Sequence, residues 1–290
     1  MKVLIKPNNL FIGDQLFSTS VADRYKETFK NVEIHYVTEF PQLMNLFENH
    51  PNIDNVWFKG TNESYDKIID LNPLSTQSVP ATVQFQVQSG IPIEMTCTGF
   101  YTHTNEKIDE YVRSYYETFT SGKKIVCWQR NWEERSFLFT PEEYKAGIDV
   151  PNYGYGGKRR NIYYVISELS KNENLILIPV GKPSGYNQRT NDINACQEYT
   201  ELASLIKYAD YLIGSEGGIT NLGCSIKNSN CKCIITTDFI LQLYGWNGCI
   251  RKHQTPTMGP NTYFPNSGHV HLDPYLTDEQ LVKQLNELLK

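Results

Sequence analysis

Residues 210–223, Asp-Tyr-Leu-Ile-Gly-Ser-Glu-Gly-Gly-Ile-Thr-Asn-Leu-Gly, carry the pattern best suited to holding an anion. Tyr211, Leu212 and Ile213 read as a short buried strand. Gly214 to Gly218 read as a tight turn, and Ile219, Leu222, Gly223 and Ile226 begin a helical pattern. A helix that starts straight after a glycine turn presents unpaired N–H groups and the positive end of its dipole, so phosphate or diphosphate is the natural guest. The same pattern also serves an ordinary strand-to-helix connection, with the glycines there only for close packing. Glu216 is either an acceptor for ribose hydroxyls or a helix-start acid favoured by the dipole. Thr220 and Asn221 are either phosphate ligands or plain first-turn polar residues. Arg130 and Lys182 each follow an apolar stretch, ending at Trp128 and Val180. Each is either a cation at a cleft edge or a solvated surface charge. Asp14 ends the loop after Val3-Leu4-Ile5, where it is a general base, the N-cap of a helix beginning at Gln15, or both.

These residues need an alternating βα frame to bring them together. Val3 to Ile5, Glu33 to Thr38, Asn55 to Phe58 and Lys67 to Asp70 read as strands, and Val83 to Val87 as a further one. Phe17, Val21, Tyr25 and Phe29 recur at every fourth residue, the spacing of one helix face. Ile108, Tyr111, Val112, Tyr115 and Tyr116 give a helix over 105–120, and Ser121-Gly122 marks a boundary. The pattern then restarts, with strands at Lys124 to Trp128, Leu175 to Ile178, Tyr211 to Ile213 and Cys233 to Ile235, and helices at Ile162 to Leu169 and Tyr199 to Tyr208. Thr277 and Gln280 form a capping box ahead of a last apolar stripe. The expected fold is α/β, two Rossmann-like domains with parallel sheets facing a central cleft. Residues 1–121 form the first, 122–275 the second, and 276–290 a terminal helix that packs back on the first. Ligands of such sheets bind at the carboxyl ends of the strands. The cleft should therefore gather Asn8–Asp14, Gln129–Trp132, Gly181–Tyr186 and Gly214–Asn221. The long loop over 129–157 is also a functional candidate.

Composition narrows the partners. The 290 residues carry a net charge of −5, so Lys158-Arg159-Arg160 is an isolated basic cluster and no broad nucleic-acid footprint is expected. No apolar run reaches membrane-spanning length, and the start lacks the apolar segment of a secretory signal. Seven cysteines without framework spacing fit reduced thiols, so a cytoplasmic location is expected. Cys224, Cys231, Cys233 and Cys249 lack the spacing of a zinc ribbon or finger, His269 and His271 alone make a structural pair, and no metal is expected. Gly154-Tyr155-Gly156-Gly157 has no strand before it and no P-loop pairing after it, so neither nicotinamide nor P-loop chemistry fits.

Ile12-Gly13-Asp14, then Val32-Glu33-Ile34-His35-Tyr36-Val37, then His50-Pro51-Asn52-Ile53-Asp54-Asn55-Val56 resemble the start of the bacterial lipopolysaccharide heptosyltransferases, which are GT-B glycosyltransferases. Glu201–Asp210 leading into Gly214–Gly223 is similar to that family's helix, strand and glycine turn at the sugar-nucleotide diphosphate. The resemblance covers about residues 1–60 and 120–236. It implies transfer of a sugar from a nucleotide-sugar donor, bound mainly by the second domain, to a saccharide hydroxyl, with inversion and without a metal or further cofactor. It implies Asp14 as the base and places Lys158 at the family's lysine; together with the residues read above, the expected donor-binding set is Arg130, Lys158, Lys182, Glu216, Gly217, Gly218, Thr220 and Asn221. The chain departs from the family in having Asn221 where a histidine is usual, and Glu216 near its usual Asp or Asn. An epimerase or hydrolase of the same fold, a transferase acting on a hydroxylated nucleic-acid base, and a non-catalytic nucleotide-binding protein are the rival classes.

Overall fold

The computed structural model describes residues 1–73, 81–96, 99–130, 137–138, 158–159, 161–181, 198–215, 217–236, 269–272 and 276–290. Strands β1 (Lys2–Pro7), β2 (Glu33–Thr38), β3 (Asn55–Phe58) and β4 (Lys67–Leu71) form one parallel sheet in the order β3-β2-β1-β4. Val3, Leu4 and Ile5 are buried in succession, as expected of a central parallel strand covered on both faces. Helices α1 (Ile12–Ser18), α2 (Ser20–Thr28), α3 (Met44–Glu48), α4 (Ala81–Gln88) and α5 (Glu106–Phe119) accompany it.

A second sheet contains β5 (Lys124–Gln129), β8 (Leu175–Val180), β9 (Tyr211–Ser215), β10 (Lys232–Thr236) and β11 (Val270–Leu272), all parallel, in the order β11-β10-β9-β5-β8. Its helices are α6 (Ile162–Leu169), α7 (Tyr199–Lys207), α8 (Gly218–Ser225) and α9 (Asp278–Leu288). A separate antiparallel pair, β6 (Phe137–Leu138) and β7 (Lys158–Arg159), lies within the long segment between β5 and α6.

Both sheets reverse their strand order at one point, and there the connections leave in opposite directions and open a crevice. In the first sheet this point lies between β1 and β4, so the loop after β1 crosses it. In the second it lies between β5 and β9, which places Gln129 and Ser215 at its edges.

The two sheets share one apolar core. It runs from Val3, Ile5 and Phe85 on the first side to Cys127, Leu212 and Ile235 on the second. Polar contacts fix their relation. Asp109 on α5 is buried and accepts from Ser204 Oγ at 2.7 Å and from Lys207 Nζ at 2.6 Å, both on α7. Tyr116 donates to Leu205 O at 3.0 Å, and Thr102 pairs with Ile226 and bonds Ser225 Oγ at 2.7 Å. Breaking such a buried pair by removing one partner costs about 3–5 kcal/mol, because the other charge is left uncompensated. The Asp109 cluster therefore holds the two halves in one setting.

Two expectations are corrected. Val83 to Val87 is not a strand but the body of α4. Its alternation of Val, Gln and Phe imitates a strand period, yet α4 packs across α1 and α2, burying Thr82, Gln84, Phe85 and Gln86 and leaving Val87 exposed. Tertiary packing outweighs the local β preference here. The terminal helix α9 packs on α6, not back on the first half. Leu281, Leu285 and Leu289 of the terminal segment enter a second core with Val126, Ile162, Val165 and Leu169. That stripe matches the uncovered apolar side of α6, and the Asn161 N–H bonds Asp278 Oδ2 at 3.1 Å where the two helices start.

Candidate active site at the meeting of two helix starts

The first turns of α1 and α8 pack directly against one another where the two switch points meet. A Cβ on Gly13 would lie 3.0 Å from Asn221 Nδ2 and 3.8 Å from Gly218 Cα. A Cβ on Gly218 would lie 3.0 Å from Ile12 Cγ2. These two glycines are therefore what lets a loop of the first sheet reach a helix start of the second. Sequence reasoning missed Gly13 as a contact residue. The available signal was a glycine in the first turn of a helix, which costs stability unless close packing requires it.

Asp14 stands at this contact, half-buried. The helix begins at Ile12, so Asp14 is its third residue and not the N-cap of a helix starting at Gln15. Phe11 occupies the cap position and has no polar side chain to offer. Instead the Asp14 carboxylate reaches back and accepts from the Phe11 N–H at 3.3 Å. Burial raises the carboxyl above its ordinary value, and the bond from Phe11 N–H only partly offsets this. A carboxylate made more basic in this way, beside a crevice, suits proton abstraction.

On the opposite wall, α8 starts at the glycine turn with no side-chain cap. Its first N–H groups are of the kind that intrahelical bonding leaves unpaired. Thr220 is fully buried and its hydroxyl belongs to the turn itself. It accepts from the Gly217 N–H at 3.0 Å and faces the carbonyls of Ser215 and Gly217 at 3.0 and 3.1 Å. That geometry gives Thr220 the structural one of its two expected roles. Asn221 is also buried, with its own N–H bonded to Gly217 O at 2.9 Å. Two buried polar atoms flank the turn without a protein partner among the described residues, Ser215 Oγ and Asn221 Oδ1. Ser215 was not singled out by sequence, because a serine ending a strand carries no spacing signal.

Packing below the turn is tight. A Cβ on Gly214 would approach Gln129 Oε1 to 2.5 Å. Gly181, with φ of +79°, ends β8 against the side chain of Ile219. The ends of β5, β8 and β9 and the start of α8 thus converge on one corner. Arg130 lies at that corner by its backbone, donating to Val180 O at 2.9 Å, and its side chain is exposed. The structure therefore brings together Asp14, Gly217, Gly218, Thr220, Asn221 and, at the rim, Arg130. Lys182 and Glu216 lie outside the described residues. Lys158 is placed only by its backbone in β7, paired with Leu138.

No protein-family model and no curated protein sequence matches the chain. Solved structures do. The glycosyl transferase family 9 protein of Veillonella parvula DSM 2008 superposes with a TM-score of 0.59 at 12% identity, covering 99% of this chain and 97% of that one. The E. coli ADP-heptose LPS heptosyltransferase II gives 0.59 at 11% identity, covering 100% and 98%. The E. coli heptosyltransferase WaaC with ADP gives 0.57 at 11% identity, covering the whole of both chains. Two parallel sheets, their switch points and the opposed starts of α1 and α8 thus belong to one architecture, and the chain has the GT-B fold of these heptosyltransferase structures.

Proposed function

We propose that the chain is a glycosyltransferase that moves a sugar from a nucleotide-sugar donor to an acceptor hydroxyl. One observation carries this reading: the first turn of α1, which bears the basic carboxylate of Asp14, packs against a helix start flanked by two buried polar atoms without a partner among the described residues, Ser215 Oγ and Asn221 Oδ1. The donor diphosphate sits on the glycine turn and the first N–H groups of α8, with Ser215 donating to a phosphate oxygen. Asn221 turns its amide so that the same position presents N–H to the phosphate. Arg130 covers the outer phosphate from the rim. The acceptor hydroxyl lies beside Asp14. As the acceptor oxygen attacks the anomeric carbon, Asp14 takes its proton. The bond from that carbon to the diphosphate breaks, and the nucleoside diphosphate leaves with the electron pair. The helix dipole and Arg130 stabilise the charge that develops on the leaving group. Displacement from the opposite face inverts the anomeric centre, and no metal is needed at the diphosphate.

ADP-heptose is the donor to try first, since similar structures are of enzymes named for it or holding ADP. The acceptor class is a saccharide hydroxyl. The test is a transfer assay with a panel of nucleotide sugars and lipopolysaccharide-core saccharides, in the presence of EDTA. The expected result is nucleoside diphosphate release that requires an acceptor and is lost in Asp14→Asn. Full activity of Asp14→Asn would remove Asp14 as the base.

A further inference from the structure

Away from the crevice, three side chains that the sequence scatters over 46 residues converge inside the second half, with a fourth, Cys231, beside one of them. Cys224 lies near the end of α8, Cys233 on β10, and His269 immediately before β11. The two sulfurs and one ring nitrogen of His269 lie within 4.8 Å of one another. Cys231 stands just before β10, two residues from Cys233, and is buried like it. The thiols of Cys224 and Cys231 and the ring of His269 are all close neighbours of the Cys233 thiol, and His269 Nδ1 accepts from the Cys233 N–H at 3.1 Å. None of the three thiols is in a disulfide among the described residues, and all are buried. Gly223 makes the room, since a Cβ there would lie 2.5 Å from Leu212 Cδ2 and 3.1 Å from Cys233 Sγ.

Buried free cysteines are common as small apolar residues. Three of them gathered with an imidazole are a different case, because thiolate and imidazole are together the donor set of tetrahedral zinc. In such a site Zn–S of about 2.3 Å puts neighbouring sulfurs roughly 3.8 Å apart. The ligand atoms of Cys224, Cys233 and His269, already within 4.8 Å of one another, need to close by about 1 Å or less. Cys231 lies outside that set and has to swing further, and the bond from the Cys233 N–H to His269 Nδ1 opens when the ring takes the metal.

We propose that Cys224, Cys231, Cys233 and His269 form a closed Cys3His site for one zinc ion, with a structural role. Binding releases the thiol protons to solvent and leaves no coordination position open for substrate. The site ties together α8, β10 and the point where the chain enters β11, after an interval of more than thirty residues. It lies about 10 Å along the sheet from Ser215, three residue pairs down the β9–β10 register. It therefore holds the far end of the helix whose start makes the anion site, and it is independent of the sugar-transfer reading. Ligand separations of seven, two and thirty-six residues explain why no ribbon or finger spacing announces it.

The test uses the full chain, purified under reducing conditions, with metal content measured by mass spectrometry and Co²⁺ titrated into the zinc-stripped protein. The expected result is one zinc per chain, and a Co²⁺ spectrum with thiolate charge-transfer and tetrahedral d–d bands. Cys233→Ser should weaken Co²⁺ binding at least tenfold. Cys127→Ser, which removes a neighbouring buried thiol outside the set, should leave the stoichiometry at one. Should Cys233→Ser fail to fold, X-ray absorption at the zinc edge of the unaltered protein decides, with three sulfurs and one nitrogen expected. A folded, reduced chain that carries no zinc and binds no Co²⁺, or a metal shell lacking sulfur, would overturn the proposal.

Discussion

Replacing Thr220 by valine separates the two roles this residue could play. Valine keeps the shape and removes only the hydroxyl. That hydroxyl is fully buried, accepts from the Gly217 N–H at 3.0 Å and bonds back to the Ser215 and Gly217 carbonyls. Losing a net hydrogen bond costs about 0.5–1.5 kcal/mol, and leaving the Gly217 N–H buried and unpaired adds about 1–3 kcal/mol. The two figures overlap in what they count, so a loss of about 2 kcal/mol is expected. In a chain of this size that lowers Tm by about 4–8 °C. The assay is differential scanning calorimetry with and without ADP. A large fall in Tm of the unliganded protein is expected, with ADP affinity falling as a consequence of the loosened turn. An unchanged Tm together with lost ADP binding would refute the reasoning, because the hydroxyl would then be a phosphate ligand and the turn would close without it.

Three further outcomes follow from the same geometry. Burial raises the Asp14 carboxyl, so the folded state holds its proton more tightly than the unfolded chain. Stability contributed by Asp14 is then greatest at acid pH and falls as pH rises through the ordinary carboxylate range towards the raised folded value. Asp14→Asn should accordingly be no less stable than the unaltered protein at pH 7 in urea unfolding, and a clear loss there would contradict the burial argument. Arg130→Ala should weaken nucleoside diphosphate binding several-fold without moving Tm, since its side chain is exposed; calorimetric titration reads the first and a thermal melt the second. His50 is buried and held neutral, its pKa lowered to about 4 by burial and by Lys227. Its contribution is intact above pH 6.5 and is lost as pH falls towards 4. The difference from the ordinary value is worth about 3 kcal/mol. Chemical unfolding between pH 7 and 4.5 should show this slope, and His50→Gln should flatten it.

Regular elements were the legible part of the sequence. Unbroken apolar runs such as Val3-Leu4-Ile5 and Leu175-Ile176-Leu177-Ile178 are strands because parallel strands are covered on both faces. The helix over 105–120 is legible from its spacing, and the structure starts it at Glu106 with Asn105 as cap, its side chain accepting from the N–H groups of Lys107 and Ile108. Local pattern failed where partners decide the outcome. Val83 to Val87 has a strand's alternation, but α1 and α2 provide the surface that makes it helical. The start of α1 was misplaced because Phe11 is not a capping type, and the bond that closes this end comes backward from Asp14. In the site, glycine turn chemistry was visible at Gly217 and Gly218. Gly13 was not, because its role depends on a contact between segments some two hundred residues apart, and Ser215 was not, because a serine ending a strand carries no spacing signal. A separation of 9 to 45 residues, without ribbon or finger spacing, hides the Cys224, Cys233 and His269 cluster.

The most direct test of the central claim is calorimetric titration of the full chain with ADP and other nucleoside diphosphates in EDTA, repeated on Ser215→Ala and Asp14→Asn. The account predicts binding of at least one nucleoside diphosphate, weakened about tenfold or more by Ser215→Ala and retained by Asp14→Asn. Failure of the folded protein to bind any of them, or equal affinity in Ser215→Ala, would contradict a diphosphate site at the start of α8.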